Sequence, residues 1–201
     1  MNIFDIAKQN QEKAWQVIKN TNIIQIWEDA GAKINLVGSL RTGLLMKHRD
    51  IDFHIYSSPL NLTDSFQAMA RLAENPSIKR IECANLLHTA EACIEWHAWY
   101  QNEENELWQM DMIHIREGSR YDGYFEKVAQ RISEIMTDEI RETILRLKYE
   151  TPETEKIIGV EYYKTYYDQE DGWFKAHPNY RIDKVVQTFD SLEEALQIYK
   201  S

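Results

Sequence analysis

The sequence predicts an α+β fold, in which a mixed β-sheet is flanked by helices and followed by a helical C-terminal extension. Two observations predict this layout: strand-like segments concentrate between residues 33 and 115, and segments with helical periodicity lie on both sides of them. A third observation is the hydrophobic fraction of 43%, which is enough to build a packed core. In a chain of 201 residues we therefore expect a core domain, 1–118, with a mostly helical extension, 119–201, packed on it.

The first elements are two amphipathic helices within residues 4–29. Their apolar side chains recur at helical spacing, and the polar run Asn20-Thr21-Asn22 predicts a break between them. Gly31 ends the second helix, and the segment 33–37 follows as a strand that finishes on apolar residues. We expect this strand to lead directly into the region that carries the chemistry.

Residues 50–56 alternate polar and apolar side chains, which is the period-two pattern of a half-buried strand. The apolar members are expected to face the core. The polar members share the opposite face: Asp50, Asp52 and His54. Two carboxylates about 6–7 Å apart on one strand face repel each other by roughly 2–3 kcal/mol at an effective dielectric constant of about 20. A magnesium ion relieves this repulsion, because hard cations take carboxylate oxygens as ligands.

A helix over 62–73 is expected next, because apolar residues recur there at helical spacing. It should pack through one apolar stripe, formed by Leu62, Phe66, Met69 and Ala73. Asn75-Pro76 ends this helix, since the residue before a proline disfavours helical dihedrals. The segment 79–84 is then expected to form a short strand.

The segments 92–101 and 107–115 are rich in Trp, Tyr and Ile, which predicts two strands. The run Asn102-Glu103-Glu104-Asn105 between them predicts a turn, so the two strands should form a hairpin. By strand parity, one face of the first arm carries Glu95, His97 and Trp99. We expect most of the aromatic side chains of the hairpin to pack in the core.

The C-terminal part of the chain is predicted to be mostly helical. Residues 121–149 should form two helices divided near Thr137-Asp138, and Thr151-Pro152 is a good start for another helix. A short strand is expected at 183–188, and Ser191-Leu192-Glu193-Glu194 is a capping box that opens a last helix.

Gly38-Ser39, ten intervening residues and Asp50-Ile51-Asp52 together form a recognisable pattern. It resembles the signature of the DNA polymerase beta-like nucleotidyltransferase superfamily, in which a Gly-Gly or Gly-Ser pair precedes an Asp-apolar-Asp or Asp-apolar-Glu run. Val37 and Phe53 fill the apolar positions that flank the two halves. The family has a third carboxylate on a later strand, and Met110-Asp111-Met112 is similar to that element. The resemblance implies the nucleotidyltransferase fold over roughly residues 30–116.

The resemblance also implies phosphoryl transfer with two Mg²⁺ ions, for which Mn²⁺ is the alternative. One ion, held by Asp50 and Asp52, would bind the β- and γ-phosphates of a nucleoside triphosphate such as ATP. The second, shared by Asp50, Asp52 and Asp111, would lower the pKa of the acceptor hydroxyl and neutralise charge on the α-phosphate. These three aspartates are therefore the candidate catalytic and metal-binding residues.

The candidate nucleotide-binding residues lie around and between the two halves of the signature. Gly38 and Ser39 would offer backbone N–H groups and a hydroxyl to the phosphates, although an ordinary tight turn has the same sequence. Arg41 lies in the run Arg41-Thr42-Gly43, which is similar to the small-molecule and antibiotic-modifying branch, and is a candidate phosphate clamp. Lys47 and Arg49 are either further phosphate ligands or solvated loop charges.

Three more residues are candidates for contact with the acceptor. Glu95 is a candidate base for the acceptor proton, and its face with His97 and Trp99 would suit a cationic group or a stacked base. His54 is a further candidate, with a hydrogen bond to a neighbouring carboxylate as the alternative.

Charge and hydropathy exclude some classes of function. The net charge is −10 without a long basic run, whereas binding of extended nucleic acid needs a basic surface. A small or cationic acceptor suits this charge better. No segment reaches the about 18 apolar residues of a membrane span, and the N-terminus lacks the apolar core of a signal peptide. We therefore expect a cytoplasmic protein, with its oligomeric state left open.

The predicted function is metal-dependent transfer of a nucleoside monophosphate from a nucleoside triphosphate to a hydroxyl of a small molecule. One alternative is a non-catalytic member of the fold that binds a nucleotide or a partner, and another is a toxin-like transferase that modifies proteins. A third alternative is a glycosyltransferase in which an Asp-x-Asp motif holds a metal and a sugar nucleotide. Such an enzyme would not require Gly38-Ser39 ten residues before the motif. A haloacid dehalogenase-type phosphatase expects Thr or Val where His54 stands.

Overall fold

The computed structural model describes residues 2–119, 121–152, 159 and 162. These residues form six helices: α1 (Ile3–Thr21), α2 (Ile23–Asp29), α3 (Gly38–Arg41), α4 (Leu62–Ala73), α5 (Tyr124–Ile135) and α6 (Asp138–Glu150). They also form five strands: β1 (Lys33–Val37), β2 (Asp50–Ser57), β3 (Ile78–Asn85), β4 (Cys93–Gln101) and β5 (Leu107–Arg116). The helix predicted to start at Thr151-Pro152, the strand at 183–188 and the last helix fall wholly or largely outside the described residues. None of the described helices is both long and apolar enough to cross a membrane.

The helix boundaries follow from local hydrogen bonding and backbone dihedrals. Asn22 has a left-handed φ of 53°, which ends α1 and begins α2 where the sequence predicts a break. The Thr137 hydroxyl accepts a hydrogen bond from the Ile140 N–H at 3.2 Å, so it caps α6 and divides it from α5. Both predicted divisions are confirmed.

The five strands form one mixed sheet in the order β1-β2-β5-β4-β3. Strands β2 and β5 are parallel, whereas the pairs β1–β2, β5–β4 and β4–β3 are antiparallel. The predicted hairpin is thus confirmed as β4–β5, and its second arm lies beside the strand that carries Asp50 and Asp52. The predicted α+β class with a mixed sheet flanked by helices is confirmed.

The main core lies on one face of the sheet, under α1, α2 and α4. The apolar residues of β2 are buried there, as the alternation predicts: Ile51, Phe53 and Ile55. Three aromatic residues of the hairpin join them: Trp96, Tyr100 and Trp108. Because side chains alternate along a strand, this packing leaves Asp50 and Asp52 on the opposite face of the sheet.

The predicted apolar stripe of α4 is wrong in three of its four positions. Leu62 and Phe66 are 39% and 49% exposed, and Ala73 is exposed too. The buried residues of this helix are Ser65, Ala68, Met69 and Leu72. Ser65 belongs on the buried face because its hydroxyl accepts a hydrogen bond from the Trp96 indole at 2.9 Å. A polar residue on the core side therefore obscures the helical pattern.

A second apolar cluster fixes α6 beside the loop between α3 and β2. It contains residues of α1, of that loop and of α6, among them Ala7, Leu44, Met46 and Leu145. Gln11 of α1 donates a hydrogen bond to the Gly43 carbonyl at 3.0 Å, and Arg141 of α6 donates to the same oxygen at 3.3 Å. Helix α6 is thereby held against the segment that follows Gly38-Ser39.

A buried histidine links the sheet to α4. His114 is 1% exposed, and its ring nitrogens lie 2.7 Å from the Ser57 hydroxyl and 3.1 Å from the Ser65 hydroxyl. Burial lowers the pKa of His114 to about 4, although the Asp64 carboxylate acts in the opposite direction. The folded protein therefore holds this ring in its neutral form over most of the acidic range.

The free energy of unfolding is expected to fall as the pH is lowered from about 6.5 to about 4. In this window the unfolded chain binds a proton at His114 and the folded chain does not, so acid favours unfolding by up to about 3 kcal/mol. Urea unfolding of the wild type and of His114→Gln across this range would measure the effect. We expect the difference between the two pH profiles to show this loss, and parallel profiles would contradict it.

Candidate active site

The face of the sheet opposite the main core is organised in rows that cross the strands. In the strand pairing, Asp52 of β2 lies beside Asp111 of β5, and Asp111 lies beside His97 of β4. These three residues are the Asp52 row. Asp50 pairs with Gln109 two positions along the same strands. Because paired residues of adjacent strands point to the same side, the fold brings the three predicted aspartates together.

The turn predicted at Gly38-Ser39 is the beginning of the one-turn helix α3. Gly38 has a φ of +67°, and a Cβ atom built on it would overlap Asp52 Oδ2 and lie 2.7 Å from Asp52 Cγ. The backbone N–H of Ser39 donates a hydrogen bond to the Asp52 carboxylate. Glycine is thus required for the close approach of a carboxylate of the protein itself, since any side chain would displace Asp52.

The carboxylates carry negative charge that the surrounding residues do not balance. Burial raises the pKa of Asp52 far above its ordinary value, and the Asp50 and Asp111 carboxylates raise it further. The Lys148 ammonium and the Ser39 N–H act in the opposite direction but do not restore the ordinary value. Asp50 Oδ1 is buried and accepts no hydrogen bond from a described residue. Such a site favours a cation.

Asp111 is oriented by its neighbours in the sheet. His97 Nδ1 lies 2.5 Å from Asp111 Oδ1, and the Gln109 amide donates to the same oxygen at 2.7 Å. No described residue forms a hydrogen bond with Oδ2. One oxygen of Asp111 is therefore fixed and the other is left for a ligand.

The chemistry of these residues fits a divalent cation. In the described part of the chain, no group of three or more His, Cys, Asp or Glu side chains forms a preformed metal cluster. The unpartnered Asp50 oxygen and the raised pKa of Asp52 nevertheless indicate a place for positive charge. Carboxylate oxygens are the ligands that Mg²⁺ prefers. Asp50 and Asp52, with Asp111, are the residues that would hold it.

A cavity of about 610 Å³ opens over the three carboxylates. Gly38 and Ser39 line it beside β1, together with Lys148 of α6. Its volume is in the range typical of small-ligand sites. The residues predicted to contact the acceptor also line this cavity: His54, Glu95 and His97.

Lys148 also lines this cavity, whereas the sequence indicated for it only ordinary helical packing. Its side chain is 6% exposed, and its Nζ donates hydrogen bonds to the Ser39 hydroxyl at 2.8 Å and to the Leu44 carbonyl at 3.0 Å. In the sequence it is an ordinary basic residue in the last turn of a helix. No local pattern distinguishes it, because Ser39 and Leu44, to which it donates, lie more than a hundred residues away along the chain.

The cations predicted to bind the nucleotide are not among the residues that line the cavity. Arg41 is exposed to solvent. Lys47 donates to the Thr151 carbonyl at 2.5 Å, and Arg49 forms an ion pair with Glu106 at 3.0 Å. Lys47 and Arg49 lie in the loop between α3 and β2, and their side chains contact the end of α6 and the hairpin. The lysine that lines the cavity is Lys148 of α6.

Comparison with solved structures supports the fold of this chain. The sequence matches no family model, and no curated protein matches it. Among solved structures, the Cid1 poly(U) polymerase bound to MgGTP matches with a TM-score of 0.52 and 13% identity, over 73% of this chain and 46% of that one. A structure of Cid1 described for its RNA terminal uridylyl transferase activity matches with a TM-score of 0.51 and 18% identity, over 71% and 41%.

The GLD-2/RNP-8 complex matches with a TM-score of 0.52 and 8% identity, over 73% of this chain and 57% of that one. The chain thus spans about half the length of the structures that it resembles. At these identities the likeness concerns the fold, which is the nucleotidyltransferase fold that the sequence motif implies.

Proposed function

We propose that this protein transfers a nucleoside monophosphate from a magnesium-bound nucleoside triphosphate to a hydroxyl group of a small molecule. The observation that carries this proposal is the meeting of Asp50, Asp52 and Asp111 at the base of one cavity, beside the turn at Gly38-Ser39. Asp50 Oδ1, which has no hydrogen-bond partner among the described residues, and the raised pKa of Asp52 support a metal-binding role for these aspartates.

In this mechanism the chain supplies positioning and charge. Asp50 and Asp52 would hold Mg²⁺, which when bound neutralises the charge of the phosphates and of the reacting oxygens. Asp111, held by His97, would present its free oxygen to the same site. Lys148 lies beside Ser39, so this wall would receive the negatively charged phosphates.

The acceptor remains part of the proposal. The net charge of −10 favours a small hydroxyl compound over extended nucleic acid. A terminal nucleotidyltransferase acting on RNA is the second candidate, because Cid1, with which the chain shares its fold, is named as a poly(U) polymerase. A non-catalytic nucleotide-binding protein is a weaker candidate, since all three aspartates are present.

Calorimetric titration with a panel of nucleoside triphosphates, first with Mg²⁺ and then with EDTA, tests the proposal. We expect one triphosphate to bind in a magnesium-dependent manner. That triphosphate, labelled at its α-phosphate, would then be incubated with pools of small hydroxyl compounds and, separately, with short RNA. Label on a small molecule supports the proposed acceptor, and label on RNA supports the second candidate. If no triphosphate binds, the proposed function fails.

Replacement of Lys148 by methionine is expected to weaken triphosphate binding about 10- to 100-fold. The variant removes a buried charge beside Ser39, and a hydrogen bond to a charged group contributes about 1.5–3 kcal/mol. Lys47→Met is the matched control, because Lys47 bonds to the Thr151 carbonyl and does not line the cavity. Calorimetry on both folded variants measures the difference. Equal losses would assign the effect to net charge and not to the position of Lys148.

A further inference from the structure

One row of the sheet beside the aspartates has no role in the proposed phosphate site. His54 of β2 pairs with Ile113 of β5, and Ile113 pairs with Glu95 of β4. We call these three residues the His54 row. It lies two residues along the strands from the Asp52 row, which is a distance of about 6–7 Å, and all three residues line the same cavity.

A hydrogen-bond network behind this row is centred on Glu126 of α5. The Asn35 amide donates to Glu126 Oε1 at 3.0 Å, and the Tyr56 hydroxyl donates to Oε2 at 3.0 Å. The Tyr56 oxygen in turn accepts the Gly123 N–H at 3.2 Å. Burial would raise the pKa of Glu126, but the hydrogen bonds from His54, Asn35 and Tyr56 lower it to about 2. Glu126 is therefore an ionised carboxylate, which can only accept hydrogen bonds.

This network places hydrogen-bond acceptors beside Nδ1 of His54. Its Nδ1 lies 3.5 Å from the Tyr56 oxygen and 3.7 Å from Glu126 Oε2. Tyr56 has given its only proton to Glu126, so both neighbours of Nδ1 are hydrogen-bond acceptors. Two acceptors beside Nδ1 favour the tautomer with its proton on Nδ1, in which Nε2 is an acceptor. No described residue donates a hydrogen bond to Nε2.

The rest of the row offers no hydrogen-bond donor either. Among the described residues, none donates a hydrogen bond to the Glu95 carboxylate, and Ile113 is apolar. The Phe125 ring stands edge-on to His54, with 5.0 Å between the ring centroids, and forms another apolar part of the cavity wall. This end of the cavity therefore presents acceptors, whereas the end beside Ser39 presents the Lys148 ammonium.

We propose that the His54 row is the subsite for the acceptor molecule, and that it selects groups that donate hydrogen bonds, hydroxyl or amine, and rejects anions. Glu126 is the positioning residue of this subsite, because it holds the proton of His54 on Nδ1 and so keeps Nε2 ready to accept. The identity of the bound molecule as the acceptor of the transfer rests on the proposed function. The preference for donor groups rests on the arrangement of His54, Glu95 and Glu126 alone.

The first test is the tautomer of His54, measured without any ligand. Long-range ¹H–¹⁵N spectra well above the ordinary pKa of histidine distinguish the Nδ1–H ring from the Nε2–H ring, and His54→Gln assigns the signal among the six histidines. We expect the Nδ1–H form in the wild type and in Glu134→Gln, an exposed site on the same helix. In Glu126→Gln the Nε2–H form should gain population, since an amide can also donate. An Nε2–H ring or an imidazolium in the wild type would overturn the proposal.

The second test uses three fragments of similar size at high concentration: ethylene glycol, ethanolamine and glycolate. We expect the first two to shift the His54 ring signals and glycolate to leave them unchanged. Glu95→Gln should weaken the binding of ethanolamine, which carries a positive charge, and leave the binding of ethylene glycol unchanged. Equal or stronger shifts with glycolate, or no shift with any fragment, would overturn donor selection. Neither experiment involves a triphosphate, so failure of the proposed function would be seen separately, in the nucleotide titration.

Discussion

Asp52→Asn is expected to make the metal-free protein more stable and to abolish its transfer activity. The wild type holds three carboxylates on one face, and burial together with Asp50 and Asp111 disfavours the charge on Asp52. Asparagine keeps the shape and can still accept the Ser39 N–H, but it carries no charge. Relief of the repulsion by about 2 kcal/mol corresponds to a rise in Tm of about 5 °C for a domain of this size.

The loss of activity follows from the same carboxylate. If Asp52 holds magnesium, its replacement removes several kcal/mol of transition-state stabilisation, and a decrease of about 1000-fold or more in kcat/KM is expected. Magnesium should also reverse the order of stability. The wild type gains free energy by binding the ion in its folded state, and the variant does not.

Thermal unfolding of both proteins in EDTA and in Mg²⁺ measures this reversal. Glu103→Gln is the control, because it removes a carboxylate in the exposed turn between β4 and β5, far from the cavity. It should change neither the stability in EDTA nor the stabilisation by Mg²⁺. A destabilised Asp52→Asn protein in EDTA would contradict the repulsion. An unchanged response to magnesium would show that Asp52 does not bind the ion.

The sequence was sufficient to predict the strands and to place Asp50 and Asp52 on one face of β2. Strand β2 could be predicted because its alternation is a local property, and the hairpin because a polar turn separates two aromatic segments. Spacing alone could not show that Asp52 and Asp111 are neighbours. That result depends on the parallel pairing of β2 with β5. The motif resemblance implied only that a third carboxylate lies on a later strand.

Residues that act through distant contacts escaped prediction. Lys148 and Glu126 lie on α6 and α5, and each completes a polar network with residues far away along the chain. Arg49 was a candidate nucleotide-binding residue, but it does not line the cavity. It lies one residue from Asp50, yet its side chain pairs with Glu106 of the hairpin, because an exposed loop can direct a long side chain either way. Proximity along the chain is therefore a poor guide to the charges of this cavity.

Gly38→Ala is expected to lower the transfer rate by about 100-fold and to reduce the stability of the protein. Alanine at the left-handed φ of Gly38 costs about 1 kcal/mol by itself. Its Cβ would in addition overlap Asp52 Oδ2 and lie 2.7 Å from Cγ, so the carboxylate has to move. A displacement of about 1 Å in a reacting group can cost about 100-fold in rate. Steady-state kinetics and urea unfolding measure the two effects.

Gly31→Ala is the matched control for backbone strain. Gly31 has a φ of +77°, and a Cβ atom built there would meet nothing within 4 Å. This variant should lose about 1 kcal/mol of stability and keep its activity. The difference between the losses of stability in Gly38→Ala and Gly31→Ala measures the steric cost of the added Cβ at position 38. Full activity in Gly38→Ala would mean that the position of Asp52 is not critical.

The Asp52→Ala background separates the two reasons for glycine at this position. Truncation of Asp52 removes Oδ2 and Cγ, the atoms closest to the added Cβ, and leaves the backbone of Gly38 as it is. If the carboxylate is the obstacle, Gly38→Ala should cost less in this background and approach the value of Gly31→Ala. An unchanged cost would assign the whole penalty to the dihedral angle. The first result would establish that glycine is needed here to make room for a carboxylate of the protein's own active site.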